Sequence, residues 1–301
     1  MLLSKSSLLG VSITIASKEQ MLSYIKQLLY TPCKVGPYKV VSIVTPNPEQ
    51  IMLAQKNEEF RRILNDADVA LPDGAGVVWG LNHSVIPAKA GILLDQGIPD
   101  STTCFRDDKK VERISGVDFM EDLCRMAGEK HWKVLFLGGR EGVAEKALTV
   151  MQKKYPGLEG IAEDGPEISD GMSIDPTIID TLIQTMQKEQ IRMVFVGLGA
   201  PKQEYVMEAV KAHLSLRAKR SNPYNNDRHA ESDSARDDNN VLFMSVGGSF
   251  DMLAGKVKRA PAFVQNIGFE WLWRLIQEPW RWRRQLALVN FIRMVLTNTR
   301  S

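Results

Sequence analysis

The sequence predicts an α/β fold in which a Rossmann-like, layered parallel sheet has helices on both faces and is followed by a basic, amphipathic helical appendage. Within residues 1–255, short β-branched runs alternate with helical patterns, the order typical of a parallel sheet. These runs are apolar throughout, as are strands that are covered on both faces. Residues 256–301 differ from the rest because they interleave tryptophan with arginine. We therefore expect one α/β domain over residues 1–255 and an appendage over residues 256–301.

Five runs are predicted to be strands, because each is rich in β-branched residues and ends in Gly, Asn, Asp or Pro. They are KVVSIVTPN (39–47), ADVALPDG (67–74), KVLFLGG (133–139), IRMVFVGLG (191–199) and VLFMSVGG (241–248). The N-terminal run LLGVSITIAS (8–17) favours a further strand over a cleaved signal peptide. Ligands of such sheets bind at the carboxyl ends of the strands, so the residues that follow each strand are candidates for a site.

Helix start signals precede the helical patterns between these strands. Asn47 and Pro48 come before EQIMLAQKNEEF, Ser115 and Gly116 come before VDFMEDLCRMAG, and Pro201 comes before KQEYVMEAVKAHL. The alternation of strand and helix is thus complete over most of the domain.

Two segments, residues 85–111 and 215–240, show neither helical nor strand periodicity. Structureless loops longer than about 12 to 15 residues are uncommon in compact domains. Both segments resemble translated copies of bacterial palindromic repeat DNA, through VIPAKAGI and SLRAKRSNP. We interpret them as in-frame insertions into surface loops, where extra length costs little closure entropy.

The composition excludes several classes of protein. With 44% apolar and 25% charged residues the chain is neither disordered nor fibrous. Its three cysteines, Cys33, Cys104 and Cys124, form no C-x-x-C pair, so we expect neither a disulfide framework nor a structural zinc site. That pattern fits a reducing cytoplasm. Lys and Arg interrupt every apolar stretch before it reaches the ~20 residues that span a membrane.

The strongest local signal is LPDGAGVVWG, in which Asp73 follows a buried strand and precedes a glycine that opens a helix. A helix N-terminus would stabilise the carboxylate and burial would destabilise it, so the sequence leaves its basicity open. Thr45 and Asn47 follow the preceding strand and would lie beside Asp73 if the two strands are neighbours. The alternative is structural, with Asp73 and Asn47 acting only as helix caps.

Glycine-rich turns follow three other strands and are candidates for binding a nucleotide or its phosphates. The turn at Gly138 and Gly139 could let backbone N–H groups approach a diphosphate, but it lacks the G-x-G-x-x-G spacing of dinucleotide sites. The GLGAPKQE and VGGSFD turns add the candidate substrate-binding residues Gly199, Lys202, Gln203, Glu204 and Asp251. Helix capping accounts for the GLGAPKQE turn equally well.

No metal or cofactor is expected. Asp66-Ala67-Asp68 matches the D-x-D pattern of metal-dependent sugar-nucleotide enzymes, but it precedes its strand instead of following it. The four histidines lack the spacing of a metal site.

The C-terminal segment favours a membrane surface as partner, and no feature points to nucleic acid. FEWLWRLIQEPWRWRR (269–284) holds four of the six tryptophans, and residues 256–301 carry nine Lys/Arg against two Glu. Tryptophan and arginine together suit the lipid headgroup boundary and anionic phosphates. The alternative is a C-terminal helix that packs on its own domain.

The ordered set of motifs resembles the WecG/TagA/CpsF glycosyltransferase family. The motifs are LLGVSI, TPNPEQ, LPDGAGVVWG, ERISGVD, FLGG, GLGAPKQE, VGGSFDMLAGKVKRAP and EWLWRLIQEPWRWRR. The resemblance implies an inverting, metal-independent transfer of an N-acetylmannosamine-type sugar, or its uronic acid, from UDP to an undecaprenyl-diphosphate-linked amino sugar. It also implies a cytoplasmic protein, peripheral on the inner face of the cell membrane.

The resemblance assigns roles by motif position. Asp73 matches the family's proposed general base, and Thr45 and Asn47 match neighbouring pocket residues. Arg113 in ERISG and Gln203 match residues that line the substrate pocket, where a guanidinium could replace Mg²⁺. Further arginines match those of the appendage that completes the active site: Arg274, Arg281 and Arg284.

Two rival functions remain at this point. Because the predicted insertions lie close to the pocket motifs, the chain could be a catalytically silent UDP-sugar-binding protein at the membrane. The glycine turn at Gly138 leaves an NAD-type oxidoreductase as the second rival. The donor sugar, the polymer pathway and homo-oligomer formation are left open by the sequence.

Overall fold

The computed structural model describes residues 3–31, 39–84, 111–166, 168, 174–220, 240–266 and 268–298. The first predicted insertion, apart from Val111, lies outside the described residues, and so do residues 221–239 of the second. Cys33 and Cys104 lie outside them as well.

A six-stranded parallel sheet forms the centre of the molecule, in the order β4-β3-β8-β7-β5-β6. The predicted α/β class is confirmed, and all five predicted strands are present. The strands are β3 (Val40–Val44), β4 (Val69–Ala70), β5 (Lys133–Gly138), β6 (Gly160–Glu163), β7 (Ile191–Gly197) and β8 (Val241–Ser245). The edge strand β6 was not predicted, because its four half-exposed residues carry little apolar signal.

The N-terminal run forms an antiparallel hairpin outside this sheet, with strands β1 (Ser4–Leu8) and β2 (Val11–Ile15). The predicted strand over residues 8–17 therefore contains a turn, at Leu9 and Gly10, which both have positive φ. The hairpin joins the sheet through the backbone N–H of Ala70, which donates to the Thr14 hydroxyl at 3.0 Å.

Helices cover both faces of the sheet, as predicted, and two apolar cores result. The first eight helices are α1 (Lys18–Tyr30), α2 (Pro48–Ala54), α3 (Glu58–Asn65), α4 (Ala75–Ser84), α5 (Gly116–Lys130), α6 (Val143–Lys154), α7 (Pro176–Lys188) and α8 (Lys202–Arg220). Alternate β3 residues separate the cores: Val44 packs with α2, α3, α4, α7 and α8, and Ile43 packs with α1, α5 and α6.

Two helix boundaries differ from the predictions. EQIMLAQKNEEF forms two helices, α2 and α3, because the Asn57 side chain accepts from the Phe60 N–H at 2.9 Å and caps a new helix. Helix α8 continues to Arg220, so residues 215–220, predicted as the start of a structureless insertion, are helical.

The C-terminal segment, residues 256–298, follows the short helix α9 (Ser249–Leu253) and wraps onto the α/β core. Its elements are α10 (Ala262–Asn266), α11 (Glu270–Gln277), a 3₁₀ turn (Pro279–Arg281) and α12 (Trp282–Asn298). Helix α12 buries Phe291 and Val295 in the core that contains α2 and α4. The domain boundary at residue 255 remains a prediction. Within the described ranges, no helix combines the length and apolarity needed to cross a membrane.

Candidate active site

A cavity of about 200 Å³ opens at the carboxyl ends of β3, β7 and β8 and beside the loop after β4. It brings together predicted residues from distant parts of the sequence: Thr45, Asn47, Asp73, Gly199, Gln203 and Arg274. The position agrees with the rule that open α/β sheets bind ligands beyond the carboxyl ends of their strands.

Asp73 lies at this edge of the sheet in a surrounding that raises its basicity. Burial, reinforced by the Glu270 carboxylate, raises the pKa of Asp73 to about 6. The Arg113 guanidinium and the backbone N–H groups of Gly116 and Gly74 oppose that rise, because they stabilise the charged form. The sequence left the balance between burial and helix N–H groups open, and burial prevails.

Gly116, at the start of α5, is a site residue that the sequence analysis did not single out. A Cβ atom there would lie 3.2 Å from Oδ2 of Asp73 and 3.2 Å from Cγ2 of Thr45. The Thr45 hydroxyl in turn donates to the Ser245 carbonyl at 3.4 Å. Glycine thus lets α5 approach the carboxylate closely. The Ser-Gly pair before the helix was the available signal, and it was interpreted only as a helix start.

Asn47 acts as a helix cap and also borders the cavity, while its role as a site residue remains a prediction. Its side chain accepts from the Gln50 N–H at 3.0 Å, and the Gln50 side chain accepts from the Asn47 N–H at 3.2 Å. This reciprocal pair is a capping box at the start of α2. Asn47 also lines the cavity.

Gln203 and Glu204 differ in their access to the cavity. Gln203 lines it but is only 1% exposed, and its side-chain oxygen accepts from the Gly247 N–H at 3.0 Å. Glu204 is fully buried beside it, and its Oε1 accepts from Nε2 of Gln203 at 2.8 Å. The structure therefore places Glu204 behind the cavity wall.

The turn at Gly138 and Gly139 is occupied by contacts with the neighbouring strand. The Gly139 N–H donates to the Gly197 carbonyl at 3.2 Å, and a Cβ at position 138 would lie 2.7 Å from Gly197. Neither glycine lines the cavities at this edge. Lys202 donates its ammonium to the Ile168 carbonyl.

Two further cavities adjoin the first. One, of about 350 Å³, is lined by Gly199, Asp251 and Trp280. The other, of about 210 Å³, lies between the N-terminus of α4 and the C-terminal segment and is lined by Arg113 and Trp271 among others. Asp251 and Arg113 thus border neighbouring spaces instead of the cavity that holds Asp73.

Arg113 and Arg274 connect the C-terminal segment to the sheet. Arg113 pairs with Glu270 at 3.1 Å and donates to the Gln265 carbonyl at 3.3 Å. Arg274 pairs with Glu278 at 2.8 Å and lines all three cavities. Its guanidinium lies so close to Gly248 that a Cβ at that position would be 2.4 Å from Nη2.

A sequence profile described as "Glycosyl transferase WecG/TagA/CpsF family" matches residues 6–94, 100–219 and 231–301. The chain belongs to this family. Two relatives are similar in sequence, each named N-acetylglucosaminyldiphosphoundecaprenol N-acetyl-beta-D-mannosaminyltransferase. The one from Bacillus spizizenii is 28% identical over 265 residues, which cover 86% of this chain and 80% of the relative. The one from Bacillus subtilis is 28% identical over 254 residues, 84% of this chain and 78% of the relative.

Membership of the WecG/TagA/CpsF family confirms the predicted enzyme class, glycosyl transfer, and leaves the NAD-type oxidoreductase without support. Both interruptions of the profile match, at residues 95–99 and 220–230, fall inside the segments predicted as insertions. The assignments of individual site residues remain predictions.

The D-x-D sequence of this WecG/TagA/CpsF family member lies away from the cavity. Asp66 ends α3 and pairs with Arg62 at 3.0 Å. Asp68 accepts from the Ser42 N–H at 2.9 Å, near the start of β4. In the part of the chain that the structure describes, no three His, Cys, Asp or Glu side chains are grouped as metal ligands.

The C-terminal segment exposes most of the large apolar side chains that are exposed among the described residues. Ile276, Trp280 and Trp282 are 68%, 71% and 54% exposed, and α11 buries none of its residues. A large exposed apolar patch of this kind marks a protein or membrane contact. The backbones of Arg281 and Arg284 belong to this segment, but their side chains lie outside what the structure describes.

Proposed function

We propose that this glycosyltransferase moves an N-acetylmannosamine-type sugar, either N-acetylmannosamine or its uronic acid, from UDP to undecaprenyl-diphosphate-linked N-acetylglucosamine, with inversion. The product would enter a cell-surface polysaccharide or teichoic acid. The observation that carries the proposal is the Asp73 carboxylate, which is both partly buried and more basic than usual, in a cavity at the carboxyl edge of the sheet. The names of the two Bacillus relatives support the choice of sugar and acceptor.

Asp73 is suited to act as the general base. With a pKa of about 6 it is mostly ionised at neutral pH, yet it takes up a proton more readily than an ordinary aspartate. In the proposed step, Asp73 removes the proton from the acceptor hydroxyl. The freed oxygen bonds to the anomeric carbon, and the bond from that carbon to the UDP oxygen breaks on the opposite face.

We assign the stabilisation of the departing UDP to Arg274 and Arg113. The departing diphosphate gains negative charge, which a preorganised guanidinium stabilises. Arg274 borders the cavity that holds Asp73, and Arg113 borders the adjoining one. Both side chains are held by carboxylates, Glu278 and Glu270, so their positions are set before substrate binds.

The acceptor is proposed to enter through the 210 Å³ cavity beside α4. Trp271, Leu275 and Leu288 give this cavity an apolar side, while Asn47 and Arg274 are shared with the cavity that holds Asp73. A lipid-linked sugar needs such a combination of apolar and polar walls. The exposed tryptophans and leucines of the C-terminal segment would then lie in the headgroup region of the cytoplasmic membrane face.

The first experiment measures UDP release by purified protein from a panel of UDP-sugars with a short-chain lipid-diphosphate-N-acetylglucosamine acceptor, with and without EDTA. Wild type is compared with Asp73→Asn. We expect turnover with an N-acetylmannosamine-type donor that persists in EDTA and falls about 10²- to 10⁴-fold in the variant, the usual contribution of a general base. Equal rates for the two proteins would remove Asp73 from the mechanism.

The rival function, a silent UDP-sugar-binding protein, is tested in the same samples. It is motivated by the predicted insertion at residues 85–111, which separates Asp73 from Arg113 in the sequence. Binding of a UDP-sugar to wild type by calorimetry, without turnover for any donor and acceptor pair, would favour it.

A further inference from the structure

Glu204 is a buried carboxyl group that the mechanism above does not use. Its side chain is 0% exposed, and the void beside it is only about 10 Å³, the size of about one water. Its Oε1 accepts from Nε2 of Gln203 at 2.8 Å and from Nε2 of Gln50 at 3.4 Å. The Ser245 side chain also interacts with this carboxyl group and opposes the rise of its pKa. Direct contact with a sugar nucleotide is excluded by this burial.

The two amides that meet at Glu204 belong to the first turns of different helices, α2 and α8. Gln50 forms the reciprocal pair with Asn47 in the loop after β3. Gln203 follows β7 and accepts from the N–H of Gly247, in the loop after β8. An unbroken series of hydrogen bonds therefore joins the segments that follow β3, β7 and β8 at the cavity, and Glu204 is its central member.

The hydrogen-bond donors and acceptors of this network define the role of Glu204. The Gly247 N–H can only donate, so Gln203 must present its oxygen there and its nitrogen towards Glu204. Gln50 likewise uses its oxygen for the Asn47 N–H, which leaves its nitrogen in need of an acceptor. One oxygen of Glu204 accepts from both nitrogens and so fixes the orientation of both amides.

We propose that Glu204 is a positioning residue, which orients the Gln203 and Gln50 amides and thereby holds Asn47 and Gln203 in place at the wall of the cavity. Burial raises the pKa of Glu204 to about 7, so near neutral pH much of the group is a neutral acid whose Oε1 still accepts hydrogen bonds. The test of this proposal uses two measurements. The measurement of activity rests on the proposed function, whereas the measurement of amide hydrogen exchange does not.

The test compares Glu204→Gln, which keeps the accepting oxygen, with Glu204→Met, which keeps the volume but has no strong acceptor. The matched controls are Glu208→Gln and Glu208→Met, one turn further along α8, where the carboxylate pairs with Arg62 outside this network. We expect kcat/KM of Glu204→Gln to stay within about threefold of wild type. Glu204→Met should lose about tenfold to 10²-fold, mainly in kcat, as misplaced site residues do.

Amide hydrogen exchange gives a readout independent of turnover. The peptides that contain Asn47 to Gln50 and Gly247 should exchange faster in Glu204→Met and as slowly as wild type in Glu204→Gln and both Glu208 controls. If wild type turns over no donor, the proposed function fails, while exchange still decides the role of Glu204. Should Glu204→Met not fold, Glu204→Asp is the second variant. It keeps a carboxyl group but is one methylene shorter, so its oxygen should no longer reach both amides, and exchange should rise at Asn47 and at Gly247.

Two results would overturn the proposal. A loss in Glu204→Gln as large as in Asp73→Asn would mean that the charged carboxylate itself takes part in catalysis. Exchange and turnover equal to wild type in Glu204→Met, or unchanged exchange at Asn47 and Gly247 in Glu204→Asp, would mean that Glu204 does not hold these segments in place.

Discussion

The carboxyl edge of the sheet and the C-terminal segment are built in opposite ways, although both border the same cavities. At the sheet edge, polar side chains such as Thr45, Gln203 and Glu204 are buried. Hydrogen bonds hold them in place: Thr45 donates to the Ser245 carbonyl, Gln203 accepts from the Gly247 N–H, and Glu204 accepts from the Gln203 amide. In the C-terminal segment, Trp280 and Trp282 are largely exposed, and α11 has no buried residue.

This difference separates two requirements of the proposed transfer to a lipid-linked sugar. A general base needs a fixed and partly dehydrated surrounding, which the sheet supplies. A lipid substrate needs an apolar surface that reaches the bilayer, which a soluble core would hide. The chain keeps these properties in separate regions and joins them through Phe291 and Val295 in the core and Arg274 at the cavities.

The comparison is sharpest at Phe291, which belongs to the segment but is 0% exposed in the sheet core. Phe291→Ala is expected to lower the free energy of unfolding by about 3 to 5 kcal/mol, the usual cost of such a cavity. Val289→Ala, in the same helix but 64% exposed, should change it by less than about 0.5 kcal/mol. Urea denaturation measures both.

Deleting residues 256–301 would therefore also unfold part of the core. Loss of activity in that truncation could not be assigned to membrane contact. Equal stability of the Phe291 and Val289 variants would show that the segment is energetically independent of the sheet.

Arg274 is the residue that both regions share. Arg274→Met is expected to lower turnover about 10²- to 10³-fold, because the developing charge on the departing diphosphate loses a preorganised donor. Arg293→Met, an exposed arginine of α12, serves as the control and should leave turnover within about twofold. Steady-state UDP release measures both, and a matching loss in the control would point to the total charge of the segment instead.

The dehydration of the sheet edge also predicts how stability depends on pH. Asp73 and Glu204 have folded-state pKa values of about 6 and about 7, above their ordinary 3.8 and 4.5. The folded chain therefore holds protons that the unfolded chain releases. The two groups contribute fully to the free energy of unfolding below about pH 4. This contribution, about 3 kcal/mol for each group, is lost as pH rises through 7.

Urea denaturation at pH 5 and pH 8 measures this loss in wild type and in the Asp73→Asn, Glu204→Gln double variant. The double variant should show a much smaller difference in stability between the two pH values. If its difference equals that of wild type, the two carboxyl groups are not dehydrated in the folded protein.

The smallest effect is expected at the exposed tryptophans. Replacing Trp280 and Trp282 with serine should weaken binding to anionic phospholipid vesicles by about tenfold or more, because apolar area available to the headgroup region is lost. The free energy of unfolding should change little, since both side chains are largely exposed. Vesicle cosedimentation measures the first quantity, and unchanged binding would mean that this surface faces a protein partner.

The sequence predicted the sheet well, because buried parallel strands are long apolar runs that end in polar turns. It did not predict β6 or the break between α2 and α3, which depend on four half-exposed residues and on one Asn57 cap. The sequence placed Thr45 beside Asp73 on the condition that their two strands are neighbours. The structure meets this condition, since β3 pairs with β4.

Other parts of the site could not be predicted, since they depend on distances in three dimensions. The pKa of Asp73 reflects the balance between burial and the charges of Arg113 and Glu270, which lie far away in sequence. Gly116 and Gly248 matter through the side chain they lack, and a sequence cannot show which neighbouring atoms come close enough to require that. At the turn after β5, the sequence did not predict the close approach of Gly138 and Gly139 to Gly197.

The guanidinium of Arg274 forms a shared wall of three cavities. A ligand that shifts this group in one cavity alters the charge and the space available in the other two. The affinities for two ligands are then thermodynamically linked, and the coupling is equal in both directions. Donor affinity measured alone would then differ from donor affinity measured with the acceptor bound.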